Sequence, residues 1–446
     1  MPKTAKFVRR MSDSLPLQLI AAALISLIFG LFIFKTALGV NAYWPVPVSV
    51  IYASFFLLAM LPLIFHRRFD ALMLLASALC LCCGMYARVT LLSFQSSDYV
   101  HCLLPWTKKL GSLPLKEALR TSVGDNTLPY LYYLTALSRT DWDELLHIKS
   151  FSCLFDVILA YVVMRLVMLK TDDARLHLAS YLVVLISPTI MMNSAQWAQC
   201  DSIYTVLCLI SVLAALTYRG RLCAISWTLA FCFKLQAIFI LPALCVALFM
   251  GRVKVRHLLY IPAVYLATLI PALCSGRSLL SCIEIYFNQT GEYNKLYLNA
   301  PSVWRFFGTE RPESLNNMAV LVAAGGLILF TILCLSFCRK MNTEQLFKLF
   351  FISSLLAPFI LPRMHERYFY MAEVLSLVYF MYDHKKWYIP LTITFSSIVG
   401  YSNALFGGSV IDEFYIAIAF LLIIASETRA LFRELWHQTP DTIPIE

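Results

Sequence analysis

The sequence predicts an all-α protein, a polytopic bundle of about 13 to 14 membrane-spanning helices, and three observations predict it. Hydrophobic residues make up 60% of the chain and charged ones only 14%, with a mean hydropathy of +0.73. Neither a soluble globular domain nor a disordered chain has that balance. Apolar runs long enough to cross about 30 Å of hydrocarbon recur from end to end. Lysine and arginine collect in the short loops after alternate runs, the asymmetry that orients membrane helices.

In chain order the expected spans are 15–34, 45–65, 71–92, 148–168, 176–192, 202–217, 222–250, 258–274, 318–338, 346–361, 368–382, 387–406 and 414–430. The first has no small-residue cleavage pattern after it and is expected to be a retained helix. Lys3, Lys6, Arg9 and Arg10 precede it, Arg67 and Arg68 follow the second span, Arg165, Lys170 and Arg175 end the fourth, and Arg219 and Arg221 follow the sixth. The positive-inside rule makes that side cytoplasmic and places both termini there. Arg252, Lys254 and Arg256 join the same side only if 222–250 enters and returns, as two short helices or a re-entrant hairpin. Lys234 and Gln236 at its centre favour this, being costly in the middle of one lipid-exposed helix. The alternative is a single long buried helix with Lys234 ion-paired. Basic residues also gather at 339–348, at Lys385 and Lys386, and at 429–433.

This topology leaves five polar segments on the outer side: a first outer loop at 93–147, the turn at 193–201, the tip at 234–236, a second outer loop at 275–317 and the turn at 362–367. Their placement on one side suggests one composite site. No soluble domain is expected, so residues 1–446 form one integral membrane domain. In the first outer loop Pro105, Trp106, Leu110 and Leu113, with Lys108, Lys109 and Lys116, suit helices lying in the membrane interface. The net charge of +10 sits in loops and needs no nucleic acid to explain it. Most of the 14 Cys fall within spans, where Cys acts as a small hydrophobe. No metal-ligand spacing and no disulfide framework is visible.

Asp98 follows the third span directly. A carboxylate at the bilayer edge suits a general base toward a hydroxyl at the interface, and the bland alternative is a helix cap. Arg88 lies near the end of the same span, able to pair with Asp98 or to hold a phosphate through its planar fork. Gln196, Trp197, Gln199 and Asp201 combine amides, a ring and an acid where a helix begins, a place that suits sugar hydroxyls or an anion. Asp201 and Ser202 also suit plain capping. Lys234 and Gln236 at a hairpin tip can meet a lipid phosphate, or Lys234 simply snorkels. Asp156 inside the fourth span needs a partner or water. In the second outer loop stand Asn288, Asn299, Trp304 and Arg305, residue types that contact glycans. Met364 to Tyr370, MHERYFY, is the most unusual stretch: with Arg363 it offers His365 and Arg367 to a phosphate, and Glu366 to orient an arginine.

SDYVHCLLPW, NTLPYLYYLTALS, KSFSCLFD, AQWAQCDSIYT, FKLQAIFILP, NAPSVWRFF and PRMHERYFY, in that order, resemble the bacterial relatives of GPI mannosyltransferase II. These are multispanning GT-C glycosyltransferases that use lipid-phosphate sugars. The likeness runs over about 88–370 and is only hydrophobic beyond. It implies an Asp in the first outer loop as catalytic base, matched by Asp98, and basic residues at the outer face around the polyprenyl-phosphate donor, matched by Lys234, Arg363, His365 and Arg367. Ala198 stands where the relatives often carry Gly. The expectation is inverting transfer of a hexose or pentose to a glycan or glycolipid acceptor at the outer face of a bacterial plasma membrane. Such a donor keeps its phosphate at the interface and its lipid among membrane lipids. The phosphate is a ready leaving group that needs charge stabilisation more than protonation, so one base suffices, unlike the two-carboxylate scheme of hydrolases. No DxD-type pair stands beside Asp98; no cofactor is required, and divalent metal is left open. A polysaccharide polymerase or ligase of the cell envelope would also show outer arginines, without an acid placed like Asp98. A lipid-linked sugar transporter should line its midplane with polar groups and show matching halves, and no halves match.

Overall fold

A computed structural model describes residues 14–38, 44–124, 126–291, 295–307, 313–408 and 410–437, without the side chains of 287–291 and 313–316. Lys3, Lys6, Arg9, Arg10 and the side chain of Asn288 therefore lie outside the described residues. Among the described residues the protein is helical with no strand; the only β-type pairings there are two isolated bridges, from Leu298 and from Asn299 to His365. Nine described helices are long and apolar enough to cross a membrane, or ten if one bent pair counts as a span. The chain is an integral membrane protein built as an all-α polytopic bundle.

Each expected span has a helix. Along the chain these are α1 Leu15–Ala37, α2 Pro45–His66, α3 Ala71–Leu91, then the short α4 Leu104–Ser112, α5 Leu115–Arg120 and α6 Leu128–Leu137. There follow α7 Glu144–Val167, α8 Ala174–Ile186, α9 Pro188–Met191, α10 Asp201–Leu216, α11 Gly220–Phe233, α12 Leu241–Phe249, α13 Tyr260–Cys274 and α14 Leu279–Gly291. The last five are α15 Glu313–Leu335, α16 Thr343–Ile360, α17 Tyr370–Tyr382, α18 Tyr388–Phe406 and α19 Glu413–His437. The spans at 202–217 and 222–250 become helices too short to cross alone (α10, α11 and a 3₁₀ turn running into α12). Span 368–382 is a 13-residue helix, α17, which at 1.5 Å per residue reaches about 20 Å.

The chain forms two compact units, one of residues 1–104 and 142–202, the other of 105–141 and 203–446. In the first, α2 packs on α1, α3 and α7, and α8 packs on α3 and α7. Local chemistry sets the ends. Pro45 opens α2, and the Asp70 and Asp143 carboxylates accept the Met73 and Leu146 N–H groups at 2.8 Å to cap α3 and α7. Helices α3 and α8 meet at Gly84, where an added Cβ would lie 2.9 Å from the Leu185 carbonyl oxygen.

In the second unit α16 is the centre, packed against α12, α17, α19 and the 3₁₀ turn Leu235–Ile240. A reciprocal cap starts it: Asn342 accepts from the Gln345 N–H and Gln345 from the Asn342 N–H. Lys234 separates α11 from the 3₁₀ turn with an extended backbone, φ −156° and ψ 132°. The Trp227 indole N–H donates to the Ala237 carbonyl at 2.9 Å. In a straight helix those residues stand about 15 Å apart, so the chain turns sharply at Lys234. The single long helix is thereby overturned, and the reason is local: a charged side chain and an amide tip a buried helix toward breaking where their heads can leave the hydrocarbon.

Candidate functional site

In the first unit Asp98 opens a single π-helical turn, Tyr99–Leu103. Its Oδ2 accepts from the Trp197 indole N–H at 3.0 Å and from the Gln199 amide at 2.6 Å. One further bond ties the same segments, the Ser96 hydroxyl donating to the Trp197 carbonyl at 2.8 Å, and the Tyr99 N–H donates to Ser96 at 3.2 Å within its own segment. Trp197, Ala198 and Gln199 form the turn after a second π-helical segment, Met192–Gln196, and Ala198 adopts φ +68°. That is the left-handed region that glycine prefers, so an alanine at this position carries backbone strain. Trp197, Gln199 and Gln196 are almost fully buried. The first two donate to the Asp98 carboxylate and fix its direction. Asp201 is fully buried and accepts from the Asn193 amide at 2.9 Å; it closes the 193–201 turn and is not open to an acceptor.

Arg88 does not reach Asp98. It is fully buried and spreads its fork over Asp156 Oδ2, with Nε at 3.2 Å and Nη2 at 3.0 Å. Its Nη1 donates to the carbonyls of Gly84 and Leu185, and Ser194 donates to the same Asp156 oxygen at 2.6 Å. A fully buried fork with four of its five N–H groups committed to a carboxylate and two carbonyls is closed to a phosphate. Arg88 is the partner that Asp156 needed. The residue that sequence reasoning missed is Lys149, also fully buried, whose ammonium donates to the carbonyls of Leu91, Leu92 and Phe94 at 3.1, 3.0 and 2.6 Å. It satisfies the final carbonyl of α3 and two just beyond it and anchors the stretch that leads to Asp98. A lysine inside the apolar run of KSFSCLFD was the available signal.

In the second unit the Lys234 ammonium lies 5.6 Å from the ring centre of Tyr204 and 5.9 Å from that of Tyr368, both within cation–π range. Tyr368 stands edge-on to His365, ring centres 5.4 Å apart. Strand-like bonds hold the MHERYFY turn to the second outer loop: Arg363 N–H donates to the Leu296 carbonyl at 2.8 Å, and Leu298 N–H to the Met364 carbonyl at 3.0 Å. Arg363 and Asn299, on either side of this pairing, both have positive φ, 63° and 57°. Lys234, Gln236, Arg363, His365 and Arg367 are all half-buried. Burial, then the charges of Arg367 and Lys234, push the His365 imidazole down to about 3. It is therefore neutral at pH 7, a hydrogen-bonding group between two cations and not a third positive charge. Glu366 is buried against α18, where Gly400 gives it room: an added Cβ there would lie 2.6 Å from the Glu366 Cβ. Its Oε2 is 3.9 Å from His365 Nδ1, beyond hydrogen-bond reach, and its side chain is buried.

Trp304 and Arg305 are also committed elsewhere. The Trp304 indole N–H donates to the Ile360 carbonyl at 2.7 Å, closing the end of α16. Arg305 pairs with Asp412 at 2.9 Å and Glu413 at 3.0 Å and covers the Tyr297 ring at 4.8 Å. These bonds hold the second outer loop in place. Among the described residues no cluster of three or more His, Cys, Asp or Glu is arranged to hold a metal ion.

Each unit thus presents one polar cluster of distinct chemistry. The first holds a carboxylate oriented by two neutral donors, which fix its direction without cancelling its charge. In the second, Lys234 lies within cation–π range of two tyrosine rings, and with Arg363 and Arg367 it supplies positive charge that suits an anion. The sequence matches no protein-family model and no curated protein.

Proposed function

We propose that the protein is an inverting glycosyltransferase that moves a hexose or pentose from a polyprenyl-phosphate sugar to a glycan or glycolipid acceptor at the outer face of the membrane. The observation that carries this reading is the carboxylate of Asp98, held at 3.0 and 2.6 Å by an indole and an amide just past the end of a membrane-length helix. Asp98 takes the acceptor hydroxyl's proton as its oxygen bonds to the anomeric carbon. The bond from that carbon to the phosphate oxygen breaks, and the electron pair leaves with the polyprenyl phosphate. Charge growing on the leaving phosphate is the quantity that cations must stabilise, and that role falls to Lys234, Arg363 and Arg367. Neutral His365 donates a hydrogen bond to it.

Purified protein is assayed with a panel of polyprenyl-phosphate sugars, following release of the lipid phosphate. With an active donor in hand, Asp98→Asn should keep donor binding and lose turnover by about 10²–10⁴-fold, the usual contribution of a general base. Retention of more than about a tenth of wild-type kcat removes Asp98 as the base. Arg367→Lys keeps the charge but loses the bidentate fork, and should weaken donor affinity and kcat together. If donor lipid stabilises Arg367→Ala against heat as strongly as wild type, the phosphate role of this turn is wrong.

A further inference from the structure

A cavity lies at the end of α2 and α7, lined by none of the residues placed in the two polar clusters above. It encloses about 480 Å³ and is walled by Leu58, Leu61, Phe65, Met164 and Met168, a size common for small-molecule sites. Leu58 and Phe65 are 44% and 59% exposed, so this wall opens sideways, toward hydrocarbon in a membrane helix. Pro62 sits in the same wall and within α2. It withholds the N–H that would bond the Leu58 carbonyl, which loosens the helix at the groove.

The end of the groove is cationic. His66 and Arg165 line it together with Tyr161. Arg165 donates to the Tyr161 hydroxyl at 3.0 Å and stands 5.8 Å from that ring's centre. Both contacts are with a neutral group; among the described residues Arg165 has no acidic partner. Arg68 beside it is drawn to Asp172 at 3.2 Å, and His66 bonds His177 at 3.2 Å. An apolar channel that ends at an uncompensated arginine has the shape and charge of a lipid with a negative headgroup.

We infer that the groove between α2 and α7 binds one anionic phospholipid, an acyl chain against Leu58, Leu61, Phe65, Met164 and Met168 and the headgroup phosphate on Arg165 beside His66. The basic loops at Arg67, Arg68 and Lys170 mark the leaflet from which it enters. Such a lipid would fasten α2 to α7 at the end where their packing leaves space.

Full-length protein in detergent is titrated with dioleoyl phosphatidylglycerol, with dioleoyl phosphatidylcholine, or with inorganic phosphate, following thermal unfolding. The expected result is a rise of several degrees with phosphatidylglycerol beyond that with phosphatidylcholine, and no rise with phosphate. Arg165→Gln should lose at least half of that increment. Leu61→Trp, which fills the groove and leaves the charge, should do the same and decides the matter if Arg165→Gln cannot be isolated. Arg219→Gln, an exposed basic residue in another loop, should keep the full increment. Equal stabilisation by phosphatidylcholine, a full increment in Arg165→Gln or in Leu61→Trp, its loss in Arg219→Gln, or the same rise with phosphate overturns the site.

Discussion

Ala198 shows how a single residue carries both strain and position. Its φ of +68° brings its Cβ toward the following carbonyl oxygen, a conformation costing an L-residue roughly 1–2 kcal/mol. The surrounding bonds from Ser96, Trp197 and Gln199 keep it there. Ala198→Gly relieves the strain and loosens the unfolded chain, two effects of opposite sign. The first is the larger where φ is positive, so stability should rise by up to about 1 kcal/mol. Denaturant unfolding in detergent measures it, and a lower midpoint would show that Ala198 is not strained. His365 adds a pH dependence. Its folded value near 3 lies below the ordinary 6.5, so between these the unfolded chain binds the extra proton. Stability rises with pH wherever that holds. The contribution is thus complete above about 6.5 and is lost as pH falls toward 3. His365→Gln should flatten unfolding temperature between pH 6.5 and 4 relative to wild type; an unchanged profile would mean that the imidazole titrates normally.

At the scale of elements, Lys149 does for the end of α3 what Asp70 does for its start. Lys149→Met keeps much of the apolar stem and removes three hydrogen bonds, leaving carbonyls of Leu91, Leu92 and Phe94 without that donor. Such a loss should destabilise by about 1–3 kcal/mol, and on the proposed function it should depress kcat through a displaced Asp98 while leaving donor affinity near wild type. A donor affinity that falls as far as kcat would place the damage elsewhere. Helix positions were legible in the sequence because membrane solvent imposes one rule on every span, and prolines such as Pro45 and caps such as Asp70 mark the ends. The break at Lys234 was legible for the same reason: a lysine in mid-span is expensive enough to bend the chain. Partner choice was not legible. Arg88 and Asp156 are separated by 68 positions, and Trp304 and Ile360 by 56. Nothing local says that Arg88 spends its fork on Asp156, or that Arg305 turns to Asp412. The unusual residues were therefore found, but several are bonded to partners within the fold that no local pattern names.

For the molecule as a whole, the distribution of Lys and Arg makes a claim that labelling can decide. If the basic loops all face the cytoplasm, 220–249 must enter and leave on one side, because Arg219 and Arg221 precede it and Arg252, Lys254 and Arg256 follow it. The turn at Lys234 satisfies the geometry this needs, since α11 has 14 residues, which reach about 21 Å and fall short of a bilayer core of about 30 Å. Exposed positions give fair tests: Ser97 and Lys295 on the expected outer side, and Arg68, Lys170, Arg221, Lys254 and Arg339 on the inner. Each is replaced singly by Cys in a background from which the native Cys are removed, and intact cells are treated with a membrane-impermeant thiol reagent. Ser97→Cys and Lys295→Cys should react at once, and the other five only after permeabilisation. The pair Arg221 and Lys254 is decisive for the hairpin, because a single crossing puts them on opposite sides whatever the orientation of the rest. If one of the two reacts in intact cells and the other does not, 220–249 traverses the membrane. The expected sidedness of every later segment then inverts, and with it the assignment of the Lys234 and His365 cluster to the outer face.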